Sequence, residues 1–159
     1  MKLLTKDQKE ALPPYGSQEG TPNPKVYAKL FGITSNSGWL VTEAARVDPE
    51  SGIPGPVGRD TPDEEIMLYG LGKIHRTEFG RVTLRELNAL GHKIERDRHF
   101  EPKGALQALR ENSHIFNDPG AENWVERLEE RLEKQQSAEA GREPGPSEAE
   151  PSGPEGPAL

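Results

Sequence analysis

The sequence contains no cysteine. This absence excludes disulfide bonds, thiolate metal sites and cysteine nucleophiles, and it is compatible with a reducing compartment. Long apolar runs are also absent. No stretch approaches the roughly 20 consecutive apolar residues that a transmembrane helix needs, and no apolar core of a signal peptide follows the first two lysines. We therefore predict a cytoplasmic protein that does not bind the membrane.

The sequence also lacks the motifs that most often carry catalysis. The segment "YGLGKIH" comes nearest to a phosphate-binding loop, but Met67 occupies the position of the first required glycine and Ile74 that of the Ser or Thr. A dinucleotide-binding loop would need a third glycine where His75 stands. No G-x-S-x-G or H-E-x-x-H motif occurs. These absences favour a non-enzymatic protein and predict no cofactor.

Composition predicts a folded part and an acidic tail. Of the 159 residues, 31% are hydrophobic and 30% are charged, and the net charge is −7, which disfavours a general attraction to nucleic acids. Residues 137–159 contain five glutamates and one arginine among prolines, glycines, serines and alanines, a composition typical of disorder. Without this tail the 20 basic and 27 acidic residues become 19 and 22, a net charge of −3. A local basic face therefore remains open as a route to nucleic-acid binding, carried by Arg81, Arg85, Arg96 and Arg98.

The patterns along the chain predict an α+β fold. Apolar residues alternate in "KVYAKLFGI", "WLVTEAARV" and "EIMLYGLGKIH", as in strands. The segment "TEFGRV" is interpreted as a turn that leads into a fourth, short strand. Thr5 with Gln8 and Thr83 with Glu86 form capping boxes that start two short helices. We expect a small antiparallel sheet of three to five strands packed with short helices in residues 1–116.

A C-terminal amphipathic helix is predicted for residues 117–136, before the disordered tail at 137–159. Asp118 caps this helix, Pro119 fits its first turn, and Trp124, Leu128 and Leu132 form one apolar stripe. The stripe is too short for a stable coiled coil. Packing against its own domain is favoured over a dimer or partner contact, because most amphipathic stripes cover their own core.

The segment "IERDRHFEPKG" (residues 94–104) is the most charged candidate site. If it is extended, one face carries Glu95, Asp97, His99 and Glu101, and the other carries Arg96, Arg98 and Phe100. Residues two apart on a strand are about 6.6 Å apart, so they rarely converge on one metal ion. A structural, charge-paired segment is favoured, in which Phe100 turns inward and Arg96 pairs with Glu43.

Four segments together resemble a known family: "LLTKDQKEALPP", "WLVTE", "FGRVTLRELNAL" and "IERDRHFEPKGALQAL". They resemble, in this order, small uncharacterised bacterial proteins that are grouped as a domain of unknown function and are common on plasmids, integrative elements and phages. The resemblance covers about residues 3–109. It implies a compact α+β domain and a mobile-element setting, but it implies no activity. The Pro-rich segment 47–65 is expanded relative to this pattern, and the C-terminal helix and tail lie outside it.

Two functional hypotheses follow. The first is a non-enzymatic accessory protein that binds a host or element-encoded protein partner, with contacts among Trp39, Glu43, Glu95, Arg96, Asp97, His99 and Phe100. The second is a small metal-dependent nucleic-acid-processing enzyme, or a nucleic-acid-associated factor, that uses Glu43, Glu95, Asp97 and His99. Trp39 is also expected to be at least half buried against Leu84 or Leu87. The sequence leaves the oligomeric state and the partner open.

Overall fold

The computed structural model describes residues 2–140, apart from the side chain of His92, and shows a mixed α+β fold. Helices cover both faces of one antiparallel sheet. The elements are α1 (Lys6–Ala11), β1 (Lys25–Val26), β2 (Ala28–Gly32), β3 (Gly38–Val47), β4 (Pro54–Gly55), β5 (Ile66–Lys73), β6 (Thr77–Thr83), α2 (Leu84–Ala89), β7 (Ile94–Arg96), β8 (Lys103–Gly104), α3 (Ala105–Glu111) and α4 (Pro119–Ala140). The predicted fold class is confirmed.

The main sheet has six strands, one more than the largest number predicted from the sequence. Its order is β6-β5-β3-β2-β7, and β4 pairs with the end of β3. Every pairing in it is antiparallel. The extra strand is the two-residue β4, which lies in the Pro-rich segment 47–65. β1 and β8 form a separate two-stranded sheet.

The segment Thr77–Thr83 is a full strand rather than a turn followed by a short strand. Seven residues of β6 pair with β5, from Thr77 opposite Lys73 to Thr83 opposite Met67. The turn is confined to the three residues 74–76 between the two strands. Exposed Phe79 and Arg81 obscured the alternating pattern, because β6 is an edge strand with little buried surface.

One core lies between the sheet and the first two helices. The side chains that build it come from the segment around α1, the inner face of β2, β3, β5 and β7, the Pro-rich segment, and α2. They are Leu3, Leu4, Leu12, Ala28, Leu30, Val41, Ala44, Val57, Ile66, Leu68, Leu84, Leu87 and Ile94. Both capping boxes are present: the Gln8 and Glu86 amides donate to the hydroxyls of Thr5 and Thr83, each at 3.0 Å. The local signals therefore place both helices as predicted.

A second core lies on the opposite face of the sheet, under α3 and α4. It contains Val26, Leu40, Leu71, Ala105, Leu106, Ala108, Leu109, Ile115, Phe116, Ala121 and Leu128. Trp124 and Leu132 pack against it, so the apolar stripe of α4 covers its own domain, as predicted. The helix continues to Ala140, the last described residue, four residues beyond the predicted end at Gln136. The remainder of the predicted disordered tail lies outside the described residues. Among the helices of residues 2–140, none is long and apolar enough to span a membrane.

Candidate functional site

The charged segment 94–104 does not form the continuous strand on which its two predicted faces depend. β7 ends at Arg96, a turn closes with the Phe100 amide donating to the Asp97 carbonyl at 3.3 Å, and the chain resumes as β8 at Lys103. Phe100 packs against the second core, as expected for an inward-facing ring. Arg96 lies opposite Leu30, a residue of the first core, and its guanidinium donates to the Lys2 carbonyl. The prediction that Arg96 and Phe100 share a face is therefore wrong.

Glu43 is not the partner of Arg96. Its side chain is 5% exposed and accepts hydrogen bonds from the amides of Gly16 at 2.9 Å and Gln18 at 2.7 Å. A shift in the β3–β5 register between Val41 and Glu43 turns this carboxylate toward the loop that follows α1. Glu43 thus fixes a loop by binding two backbone donors, a role that the sequence pattern did not indicate.

The four residues of the hypothetical metal site are not gathered into one cluster. Asp97 pairs with Lys29 at 3.5 Å. Glu95 lies opposite Phe31 on β2, and Phe31 lies opposite Gly38, the first residue of β3. Glu43 lies near the middle of β3, so roughly 15–20 Å of sheet separates the two glutamates. Within residues 2–140, no three His, Asp or Glu side chains are grouped closely enough to hold a metal ion.

The predicted basic face is also divided. Arg81 lies on β6 and Arg96 on β7, the two opposite edges of the main sheet. Four strand spacings separate these edges, which is roughly 19 Å. Arg85 follows β6 in α2, and Arg98 follows β7 in the turn. The four arginines therefore form two pairs on two edges instead of one surface.

Trp39 is a structural residue of the first core. More than half of its surface is covered, as predicted, and it packs against the cluster that contains Leu84 and Leu87. The indole lies over Gly72 on the neighbouring strand, where an added Cβ would come within 3.0 Å of the ring. The ring also borders a shallow groove of about 750 Å³ whose floor includes Gly70, Gly72 and Gly80.

An aromatic cleft on the opposite face of the sheet is the strongest candidate site. It lies between the loop after α1, the centre of the sheet and α4, and its volume is about 300 Å³. Its lining residues are Tyr15, Gly16, Gln18, Glu19, Gly20, Thr21, Pro24, Thr42, Glu43, Leu71, Phe79, Ala105, Trp124, Leu128 and Arg131. Of its aromatic residues, only Trp124 was considered from the sequence as a partner contact, in the less favoured interpretation of the apolar stripe of α4.

Aromatic pairs build the walls of this cleft. Tyr15 stacks on Tyr69 with ring centroids 4.2 Å apart, and Phe79 and Trp124 form a tilted pair at 6.2 Å. The second distance lies within the range of favourable aromatic pairs, and the first lies just below it. Tyr15 remains 59% exposed and Phe79 45% exposed, so the rings that shape the cleft also present apolar surface to solvent.

The charges around the cleft differ between its wall and its floor. Arg127 and Arg131 lie over the Trp124 ring, with guanidinium carbons 5.2 and 5.8 Å from its centroid. Arg81 lies opposite Tyr69 on β6. Burial raises the pKa of the Tyr69 phenol, and Arg81 opposes that rise. Glu43 closes the floor, where its carboxylate is already bound by two backbone amides.

The sequence held only weak signals for this cleft. Its walls come from positions 15, 43, 79 and 124, and no local spacing links residues that are so far apart in the chain. Tyr15 follows two prolines in a segment that shows no periodicity. Trp124 was correctly placed on the apolar stripe of α4, but the stripe alone does not indicate that one end of it borders an open cavity.

The comparisons with known proteins found no match. No family model, no curated protein and no solved structure matches this chain. The resemblance of four segments to the uncharacterised mobile-element proteins therefore stays a prediction.

Proposed function

We propose that this chain is a non-enzymatic binding protein that holds an apolar side chain of a protein partner in the aromatic cleft. One observation carries the proposal: Tyr15, Phe79 and Trp124 line an open concave surface, while Tyr15 and Phe79 stay 59% and 45% exposed. Exposed aromatic rings around a cavity with a few fixed polar groups are typical of recognition sites.

The side chains at the cleft also have the chemistry of energetic contact residues. Tyrosine, tryptophan and arginine are the types most enriched among residues that dominate binding energy, and here Tyr15, Trp124 and Arg131 line the same cleft. The Glu43 carboxylate fixes the loop that carries Tyr15, because it binds the amides of Gly16 and Gln18. A fixed loop lowers the entropy lost on binding.

The proposal includes a cytoplasmic partner encoded by the host or by a mobile element. Its support is the ordered resemblance of the four segments between residues 3 and 109 to proteins of such elements. In this proposal the aromatic cleft is the binding site for such a partner. Residues within the resembling part form most of the cleft, and α4, which lies outside that part, closes it.

The test is a selection from a phage-displayed library of random peptides. The bait is the Trp39→Phe variant, in which Trp124 is the remaining tryptophan and reports on the cleft through its fluorescence. Selected peptides should shift the emission of Trp124, and Tyr15→Ser should weaken their binding by about tenfold or more, as expected for the loss of an aromatic contact residue.

Ile53→Ser is the matched control. Ile53 is 66% exposed, close to the exposure of Tyr15, and belongs to the Pro-rich segment away from the cleft. It should leave the affinity unchanged. Peptides that bind the Tyr15→Ser and Ile53→Ser variants equally well, with no change in Trp124 emission, would reject the cleft as the binding site.

A further inference from the structure

The strand β6 borders the aromatic cleft and forms one edge of the main sheet. Within the described chain its strand neighbour is β5, and no strand pairs with its outer side. An edge strand presents a row of backbone N–H and C=O groups that can pair with another chain.

The two ends of this edge are occupied by side chains. The Thr77 amide donates to the Asp118 carboxylate at 2.7 Å, and the Thr83 amide donates to the Glu86 carboxylate at 2.9 Å. Both amides therefore point away from β5. Backbone groups alternate in direction with a period of two residues in an antiparallel pair, so the N–H and C=O groups of Phe79 and Arg81 point outward as well.

The middle of the edge thus offers four free backbone groups between two closed ends. No other residue in the range 2–140 hydrogen-bonds to the outward groups of Phe79 or Arg81. Gly80 lies between them, and a Cβ added there would meet no atom within 4 Å. The face of β6 at Gly80 is therefore open, and residues 78–81 are all exposed at an edge that no other strand of residues 2–140 covers.

The side chains beside these groups define the chemistry of the segment. Phe79 and Arg81 are exposed, and period two places both on the face of the sheet that carries the cleft. No carboxylate in the described chain forms a salt bridge with Arg81, Arg127 or Arg131. An aromatic ring followed two residues later by an unpaired guanidinium complements an apolar side chain and a carboxylate at the same spacing.

We propose that β6 receives an acidic, extended segment of the partner as an added antiparallel strand. An apolar side chain lies opposite Phe79 at the rim of the cleft, and a carboxylate lies opposite Arg81. Because the added strand runs in the opposite direction, the acidic residue precedes the apolar residue by two positions. This inference rests on the proposed binding function, and it adds the partner's backbone conformation and sequence spacing to it.

Two synthetic peptides of equal composition test the spacing. The probe Ser-Asp-Thr-Phe-Thr-Ser places its aspartate and phenylalanine on one face of a strand, and the control Ser-Thr-Asp-Phe-Thr-Ser places them on opposite faces. In two-dimensional NMR spectra of the labelled protein, the probe should shift the amide signals of Phe79 and Arg81. The control should bind about tenfold more weakly, since its carboxylate points away from Arg81.

Methylation of single peptide nitrogens tests the backbone pairing without altering the protein. N-methylation of the phenylalanine removes an amide that faces β6 in the proposed register, and N-methylation of the following threonine removes one that faces solvent. The first change should weaken binding about fivefold or more, and the second should have little effect. Equal effects of the two methylations would overturn the added strand.

The protein variants Arg81→Ala and Arg81→Pro form a matched pair. Both remove the guanidinium, but only the proline removes the outward amide, and proline is tolerated on an edge strand where the amide faces solvent. Arg81→Pro should bind the probe about fivefold more weakly than Arg81→Ala. Thermal melting of both variants checks that each is folded. If the proline variant does not fold, the methylated peptides still test the backbone pairing.

The outcomes separate this inference from the proposed function. If Tyr15→Ser weakens the binding of the library peptides but the two Arg81 variants bind them equally well, the aromatic cleft is supported as the binding site and the added strand is rejected. If the probe binds and shifts the amide signals of Phe79 and Arg81 while Tyr15→Ser has no effect, the added strand at β6 is supported and the aromatic cleft is rejected as the binding site. Dimerisation of the protein through β6 in place of peptide binding, or binding of a single-stranded oligonucleotide at the same amides, would overturn the peptide assignment.

Discussion

Glu43 shows how one buried carboxylate organises the loop beside the cleft. It accepts from two backbone amides, those of Gly16 and Gln18, and the Gln18 side chain in turn donates to the Thr42 carbonyl at 2.8 Å. Hydrogen bonds to a charged acceptor contribute more to stability than an average neutral hydrogen bond. Stability and the position of Tyr15 therefore depend on the same side chain.

We expect Glu43→Ala to lower the free energy of unfolding by about 1.5–3 kcal/mol, because it removes two hydrogen bonds to a charged acceptor. Arg96→Ala should cost about 1 kcal/mol or less, since it removes a partly exposed contact with the Lys2 carbonyl. Urea denaturation of both single variants and the double variant measures the coupling. The effects should add within about 0.5 kcal/mol, because the two side chains share no partner; a larger coupling would show an interaction that the structure does not contain.

At the scale of a strand pair, two glycines that face each other across β5 and β6 have different roles. Gly70 lies opposite Gly80. A Cβ on Gly70 would come within 2.0 Å of the Leu40 carbonyl oxygen, whereas a Cβ on Gly80 would meet nothing within 4 Å. Gly70 lies beside the register shift in β3, and glycine at such a position permits the close approach of the two backbones.

We predict that Gly70→Ala destabilises the protein by about 3 kcal/mol, because the clash is with a backbone atom that cannot move aside without disturbing the ladder. Gly80→Ala is the control, and its effect should stay within about 0.5 kcal/mol of zero. Circular-dichroism melting of the two variants gives the comparison. Similar melting temperatures for both would mean that the close approach of β3 and β5 is not a structural requirement.

The attachment of α4 to β6 should depend on pH. Asp118 accepts from both the amide and the hydroxyl of Thr77. Burial by itself would raise the pKa of Asp118, but the hydrogen bonds from Thr77 outweigh it and hold this pKa below its ordinary value of 3.8. A carboxylate whose pKa is depressed in the folded state stabilises the fold above its unfolded pKa, and that contribution is lost as the pH falls through the folded pKa.

Asp118→Asn should therefore be less stable than the wild type at pH 7, and the difference between the two should shrink as the pH falls below about 3.8. Urea midpoints from pH 7 to pH 2 measure this difference. Asp60→Asn serves as the control because the Asp60 side chain is 90% exposed; its effect should be small at every pH. A difference that persists unchanged at pH 2 would exclude ionised Asp118 as its cause.

The elements that were predictable from the sequence are those whose signals are local. The capping boxes at Thr5 and Thr83 and the stripe of α4 each depend on residues within one or two turns. The shared face of Arg96 and Phe100 was wrong because it required the strand to continue past Arg96, and the turn at Asp97–Phe100 ends the alternation. The pairing of Arg96 with Glu43 was wrong because the loop amides of Gly16 and Gln18 bind the Glu43 carboxylate. The cleft could not be predicted, because its walls meet only through the strand order and the register shift in β3.

At the scale of the whole molecule, the main sheet is shared by two cores. Trp39 packs against the core under α1 and α2, and Trp124 packs against the core under α3 and α4. The sequence pattern separated residues 117–136 from a compact domain at 1–116, yet Leu128 on α4 is only 1% exposed and belongs to the second core. α4 is therefore a packed layer of the same folded unit.

This arrangement predicts a single cooperative unfolding transition, because neither layer can keep its buried surface without the sheet between them. The variant Trp39→Phe keeps Trp124 at the second core, and the variant Trp124→Phe keeps Trp39 at the first core. Within each variant, urea unfolding followed by tryptophan fluorescence should have the same midpoint as unfolding followed by far-ultraviolet circular dichroism. The comparison within one variant removes the effect of the substitution on stability. An earlier fluorescence transition in Trp39→Phe, where Trp124 is the reporter, would show that α4 detaches from the sheet before the sheet unfolds, and the cleft would then open in a separate step.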